Sequence, residues 1–254
     1  MITLHLLGGA RLERPEGRVE GEAAQRHRIA LLALLALARD ARIPREKVLG
    51  ILWPEHPPSG ARRLLNTSVY VVRQALGKET IRSEGQDLRL DLDLVGCDVL
   101  DFRRALELGD ARTAVELYAG PFMEGLFLDD ARPFADWQDA RRSELEELFA
   151  EALRGTAEEA EAVGDFHRAE ETLRSLRRLR PTDAPSALHL MRVLEARGDR
   201  AGALRVASEH AAGLREVFGA APEPGVERMA RRIREEPEPA WTEDTGGTGR
   251  RPGA

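Results

Sequence analysis

The stretch Ser59-Gly-Ala-Arg-Arg-Leu-Leu-Asn-Thr-Ser-Val-Tyr-Val-Val-Arg-Gln-Ala-Leu-Gly77 decides how the chain is read. Wound as a helix, it places Ala61, Leu65, Val69, Val72 and Leu76 at three- and four-residue steps on one stripe. The opposite side carries Arg62, Arg63, Asn66, Tyr70, Arg73 and Gln74, and no carboxylate. Ser59 is suited to cap the start and Gly77 to stop the end, while Pro57 and Pro58 force an extended approach. An outer face of guanidinium and amide groups suits a nucleic-acid groove, because Arg reaches phosphates and guanine edges and Asn or Gln can read adenine. An ordinary solvated helix face is the competing reading.

The 254 residues allow one large or two modest domains, and 42% hydrophobic with 32% charged residues fit a soluble globular chain. Ile29 to Ala38, the best apolar run, is too short to span a membrane, and no signal peptide is recognisable. Cys97, the single cysteine, excludes an internal disulfide and a thiolate zinc site and fits a reducing cytoplasm. Net charge is −6 but is unevenly spread. Residues 1–95 hold 15 bases against 12 acids, and the remainder holds 23 against 32. Only the first third is suited to phosphate.

Upstream of the quoted stretch, Ile2 to Leu7, Ala10 to Glu13 and Arg18 to Glu20 read as short strands. Gln25 to Asp40 reads as a helix buried on more than one side, Ile43-Pro44 ends that unit, and Arg45 to Leu52 reads as a second helix closed by Trp53-Pro54. Trp53 is expected as a core plug. Downstream, Thr80 to Ser83 and Leu88 to Leu92 flank a Gly-containing turn and read as a hairpin. Strands, three helices and a closing hairpin describe a winged helix-turn-helix.

From Asp98 the pattern becomes helical. Gly109-Asp110-x-x-x-Ala114, Gly164-Asp165-x-x-x-Ala169 and Gly198-Asp199-x-x-x-Ala203 repeat, the last two 34 residues apart, the period of tetratricopeptide helix pairs. Gly ends one helix, Asp caps the next, and Ala lets helices approach. Helices are expected over 98–108, 110–119, 134–162, 165–179, 183–197, 199–218 and 223–235. Gly120 to Gly125 is read as a loop with Phe122, Phe127, Phe134 and Trp137 as a hydrophobic plug. Three segments follow: 1–95, a winged-helix domain; 96–236, a tetratricopeptide-like domain; and 237–254, an aperiodic tail read as disordered. The fold class is mainly α with a small N-terminal sheet.

Catalytic signatures are missing. The six histidines show no H-E-x-x-H spacing, and neither G-x-S-x-G, G-x-G-x-x-G nor G-x-x-x-x-G-K-[ST] occurs. The glutamates between Glu144 and Glu161 alternate with Arg141, Arg142 and Arg154 as a solvated face. No enzyme activity, cofactor or metal is expected.

Leu52-Trp53-Pro54, the run ending Val-Val-Arg-Gln-Ala-Leu-Gly77, Asp98-x-x-x-Phe102, Leu117-Tyr-Ala-Gly-Pro-Phe122, Trp137-x-x-x-Arg141 and Leu190-Met191 occur in this order. In them the chain, from residue 1 to about 235, resembles bacterial transcriptional activators of the antibiotic regulatory protein (SARP) type. These join an OmpR-like winged helix to a bacterial transcriptional activation domain of tetratricopeptide-like helices. The resemblance implies a regulator that binds double-stranded DNA at direct repeats and contacts RNA polymerase; the lone cysteine and the short apolar runs add the expectation of a cytoplasmic protein with no membrane association. It implies that Arg62, Arg63, Asn66, Thr67, Tyr70 and Arg73 carry recognition in the major groove and that Arg82 at the wing meets phosphate. A lone winged helix neutralises few phosphates, so a homodimer on adjacent half-sites is expected. The alternative is a protein-interaction adaptor whose winged helix no longer binds DNA. Val71, where the family usually has a base, and the acidic total favour that alternative.

Overall fold

The computed structural model describes residues 1–235 and divides into two compact units, Met1–Val163 and the segment from Gly164 onward. The tail expected over 237–254 lies outside the described residues. The first unit runs β1 (Ile2–His5), β2 (Arg11–Arg14), β3 (Gly17–Arg18), α1 (Arg26–Ala36), β4 (Arg42–Pro44), α2 (Arg45–Leu52), α3 (Pro58–Leu76), β5 (Ile81–Glu84), β6 (Asp87–Leu90), β7 (Val95–Cys97), α4 (Asp98–Glu107), α5 (Ala111–Leu117) and α6 (Arg132–Ala162). The second unit contains α7 (Phe166–Leu179), α8 (Ala184–Ala196), α9 (Arg200–Phe218) and α10 (Pro224–Glu235). The mainly helical class with a small N-terminal β region is as the sequence implies.

Two small sheets frame the three helices α1 to α3. One has the order β3-β2-β1-β7 and the other β4-β6-β5. In the first, Leu4 lies opposite Leu12 on one side and Cys97 on the other, and all three are buried. β7 was not expected from the sequence. It lies parallel to β1 and returns the chain from the wing to the N-terminal sheet. Asp98 then follows at once. Its carboxylate accepts the backbone N–H groups of Leu6, at 2.9 Å, and Leu7, at 3.0 Å. Burial pushes this carboxyl group up from the usual range, while the two backbone donors and His5 pull it down. Cys97, beside it, is buried and its thiol is pushed up to about 12 by burial.

The loop at Gly120 completes this edge. Met123 N–H donates to the Leu6 carbonyl at 2.7 Å and Glu124 N–H to that of Gly8 at 2.9 Å. The approach is close: a Cβ on Gly120 would stand 3.2 Å from the Gly8 Cα, so a side chain there would push the two backbones slightly apart. Phe122 and Phe134 are buried, with Trp137 at ring distances of 5.7 and 5.5 Å. Phe127 leaves the expected plug, being 66% exposed. One hydrophobic core therefore extends from Leu4 through the winged helix into α4, α5 and α6 as far as Ala152.

Several boundaries shift for identifiable reasons. Ser59 does not cap α3; the helix starts at Pro58, whose fixed φ suits a first helical turn, and Pro57 precedes it without a side-chain cap. Ile43-Pro44 belongs to β4, which pairs with β6 rather than merely ending a helix. α1 stops at Ala36, with Leu37 closing its last turn, because the backbone is already extended at Ala38 (φ −76°, ψ 155°). Asp40 and Ala41 then turn the chain with left-handed φ of 54° and 52°. α6 begins at Arg132, with Pro133 in its first turn.

The repeated Gly-Asp-x-x-x-Ala motif is realised three times. Gly109, Gly164 and Gly198 have φ of 74°, 77° and 80°. Asp110, Asp165 and Asp199 accept from the N–H three residues on, at 3.0, 3.1 and 2.7 Å. Ala114, Ala169 and Ala203 are fully buried. In the second unit, His210 of α9 is fully buried and donates from Nε2 to Glu223 Oε2 at 2.7 Å. Arg177 Nη1, a donor only, stands 3.5 Å from Nδ1, so Nδ1 is the acceptor.

Asp165→Ala removes one cap and is expected to lower stability by about 1 kcal/mol, read as a reduced denaturation midpoint. The Glu223 carboxyl is held below its usual value, first by the hydrogen bond from His210. A depressed carboxyl stabilises the fold above its unfolded pKa, and this contribution disappears as pH falls through the folded value. Thermal melts of the wild type should therefore decline below about pH 4.5, with a shallower acid limb in Glu223→Gln.

Candidate nucleic-acid interface

α3 buries Ala61, Leu65, Ser68, Val69, Val72 and Leu76 against the first unit's core. That burial turns Arg62, Arg63, Asn66 and Tyr70 outward, all exposed. Arg63 has no acceptor or carboxylate partner among the described residues. Tyr70 is 62% exposed. Arg62 is paired through Nη2 with Glu46 Oε1 of α2 at 2.9 Å, and both side chains are open to solvent. Such an exposed pair is worth little and breaks readily.

The other expected residues are placed differently. Arg73 is half-buried and turns toward the wing: Nε donates to the Ile81 carbonyl at 2.7 Å and Nη2 to Ser83 Oγ at 3.2 Å. Arg82 is bridged by Glu79 at 3.2 Å and Asp91 at 2.7 Å. Thr67 sits on the flank of α3. There it lines a cleft of about 290 Å³ with Leu64, Trp53, His27, His56, Asp129 and Asp130. In that cleft His27 stacks on buried Trp53 at 5.6 Å with rings 8° apart. Burial, then His56 and Arg28, disfavour its protonated form.

Arg45, the first residue of α2, belongs to the same surface and was not singled out from the sequence. Its backbone N–H donates to the Gln86 carbonyl in the wing turn at 2.9 Å. Its Nη1 donates to Asn66 Oδ1 at 3.0 Å and its Nη2 to Ser83 Oγ at 3.2 Å. Partial burial, and then the neighbouring Arg73 charge, weaken its hold on the proton. Two guanidiniums thus converge on one hydroxyl. The only sequence signal was an arginine directly after a proline at a helix start. The surface as a whole is a donor-rich band running from α2 across α3 to β5.

Among the described residues no three metal-ligating side chains cluster, and no helix is long and apolar enough to cross a membrane. The family model of the bacterial transcriptional activator domain matches residues 100–234. The chain belongs to the bacterial transcriptional activator domain family. The family match bears out the resemblance seen in the sequence. No curated protein matches the chain. Among solved structures, Mycobacterium tuberculosis EmbR in complex with a low-affinity phosphopeptide is similar in fold, with a TM-score of 0.68 at 20% identity. The similarity covers 93% of this chain and 66% of that one.

Arg73→Met should free the wing without unfolding α3. Amide hydrogen exchange at residues 81–84 is expected to accelerate about tenfold while α1 and α4 remain protected. Unchanged protection at 81–84 would assign the wing's order to β6 alone.

Proposed function

We propose that this regulator binds specific double-stranded DNA by setting α3 in the major groove, with the wing against the adjacent backbone. The helical region serves self-association on adjacent half-sites and contact with RNA polymerase. In this reading residues 1–95 are the DNA-binding part and 96–236 the activation part. The supporting observation is the outward face of α3. It is exposed, contributes no carboxylate of its own, and is bordered by the unneutralised pair Arg45 and Arg73. Membership of an activator family agrees with it. Arg63, Asn66 and Tyr70 form the centre of the interface, with Arg62 joining once it leaves Glu46. Thr67 contributes at the flank. Arg82 is peripheral, because two carboxylates already hold its guanidinium.

A gel-shift titration at two salt concentrations, on sites selected from random DNA, tests this. Arg63→Ala should weaken the selected site by about tenfold and reduce discrimination at one base pair. Arg82→Ala should change affinity by less than about twofold and leave the salt slope nearly unaltered. A chain with no specific band even at low salt is an adaptor, the reading favoured by Val71, the net charge of −6 and the small excess of 15 bases over 12 acids in residues 1–95.

A further inference from the structure

We propose that Arg45 is a positioning residue for sequence specificity: it fixes the Asn66 amide so that Nδ2, a hydrogen-bond donor, is the atom offered to the bases. This rests on the DNA-binding reading above and says what that surface selects. A guanidinium carries donors only, so the Asn66 atom that meets Arg45 Nη1 at 3.0 Å must be the oxygen. The amide cannot turn over without setting its NH2 group against a cation. Nδ2 has no partner among the described residues, and the side chain is exposed.

Arg45 itself is held from both ends. Its backbone N–H is bound to Gln86 in the wing turn, and its second terminal nitrogen to Ser83 Oγ. Arg73 donates to the same oxygen. With both acceptor positions of Ser83 occupied, its O–H proton is left to point elsewhere, as a further donor. The neighbouring carboxylates are engaged by other residues: Glu46 by Arg62, Asp87 by Arg42, and Glu84 by Arg42 and Arg89. The cluster thus divides its work. Arg45, Arg73 and Ser83 present charge and a hydroxyl donor to one phosphate, while Asn66 presents a donor to one base. Guanine, adenine and thymine each offer the major groove an acceptor; cytosine offers only its N4 donor. The base facing Asn66 is therefore any but cytosine.

The test is selection from random DNA with the full chain and its variants, with thermal melts to confirm folding. The position read by Asn66 is the one whose preference disappears in Asn66→Ala. There the wild type should disfavour cytosine by about tenfold. Arg45→Lys, still a donor only, should keep that exclusion. Arg45→Met, which frees the amide to turn, should admit cytosine. Asn66→Asp, an acceptor only, should invert the preference and select cytosine, and this arm stands even if Arg45→Met fails to fold. If Arg45→Met binds all sequences more weakly by one factor with cytosine still excluded, Arg45 is a phosphate contact alone and the inference is overturned. It is overturned equally if Asn66→Asp does not invert the preference. A wild type that selects no motif overturns the DNA-binding reading itself, and this inference falls with it.

Discussion

The rotation of α3 about its own axis is the constraint on which the surface depends. Leu65, Val69, Val72 and Leu76 are each at most 9% exposed. Burying four such side chains is worth on the order of 6–12 kcal/mol at about 1.5–3 kcal/mol each. No surface hydrogen bond competes with that sum, since each contributes about 1 kcal/mol. The core therefore fixes which residues face outward. The donors at positions 62, 63, 66 and 70 are displayed as a consequence of packing.

What was legible in the sequence follows from how local each feature is. The α3 stripe and the three Gly-Asp-x-x-x-Ala corners depend on residues within one or two helical turns, so spacing alone reveals them. Each corner is one glycine with positive φ and one aspartate bound to the N–H three residues on. β7 was not legible, because Val95-Gly96-Cys97 is too short to alternate and is a strand only through its pairing with β1, more than ninety residues earlier. Arg45 was missed for the same reason. Nothing in its neighbourhood of sequence predicts that β4 and β6 will carry it to Ser83 and Asn66. Phe127 is the opposite case: nearness in sequence to Phe122 and Phe134 suggested that it joins their cluster, which forms with Trp137 but without Phe127.

Charge shows the limit of reading one element at a time. α3 contributes no carboxylate, yet Glu46 of α2 reaches Arg62, and Asp129 and Asp130 line the cleft on its Thr67 flank. Acidic groups thus border the helix on two sides. The part facing β5 is different, since its nearest acids are paired with Arg42 and Arg89. The potential a polyanion meets is accordingly graded across the helix, most favourable toward the wing. Such a gradient favours one docking orientation over its reverse, because the acids on the far flank repel phosphate while the Arg45–Arg73 side attracts it.

Arginine, rather than positive charge in general, explains how this side is built. The planar fork of Arg73 spans a backbone carbonyl and a hydroxyl at once, and that of Arg45 spans an amide oxygen and the same hydroxyl. A lysine ammonium is a compact point charge and could not hold both acceptors in one fixed geometry. The acceptors are neutral, so neither arginine loses its charge in the bonds that position it. This separates the two tasks that one surface must perform. Hydrogen bonds within the protein set the geometry, and the unneutralised charge remains for the ligand. Arg82, with Glu79 and Asp91 on its guanidinium, has the positioning without the surplus charge. Arg63, with no partner among the described residues, has the charge without the positioning. Of these arginines, the pair at Ser83 combines them, and it does so where α2, α3 and the wing meet.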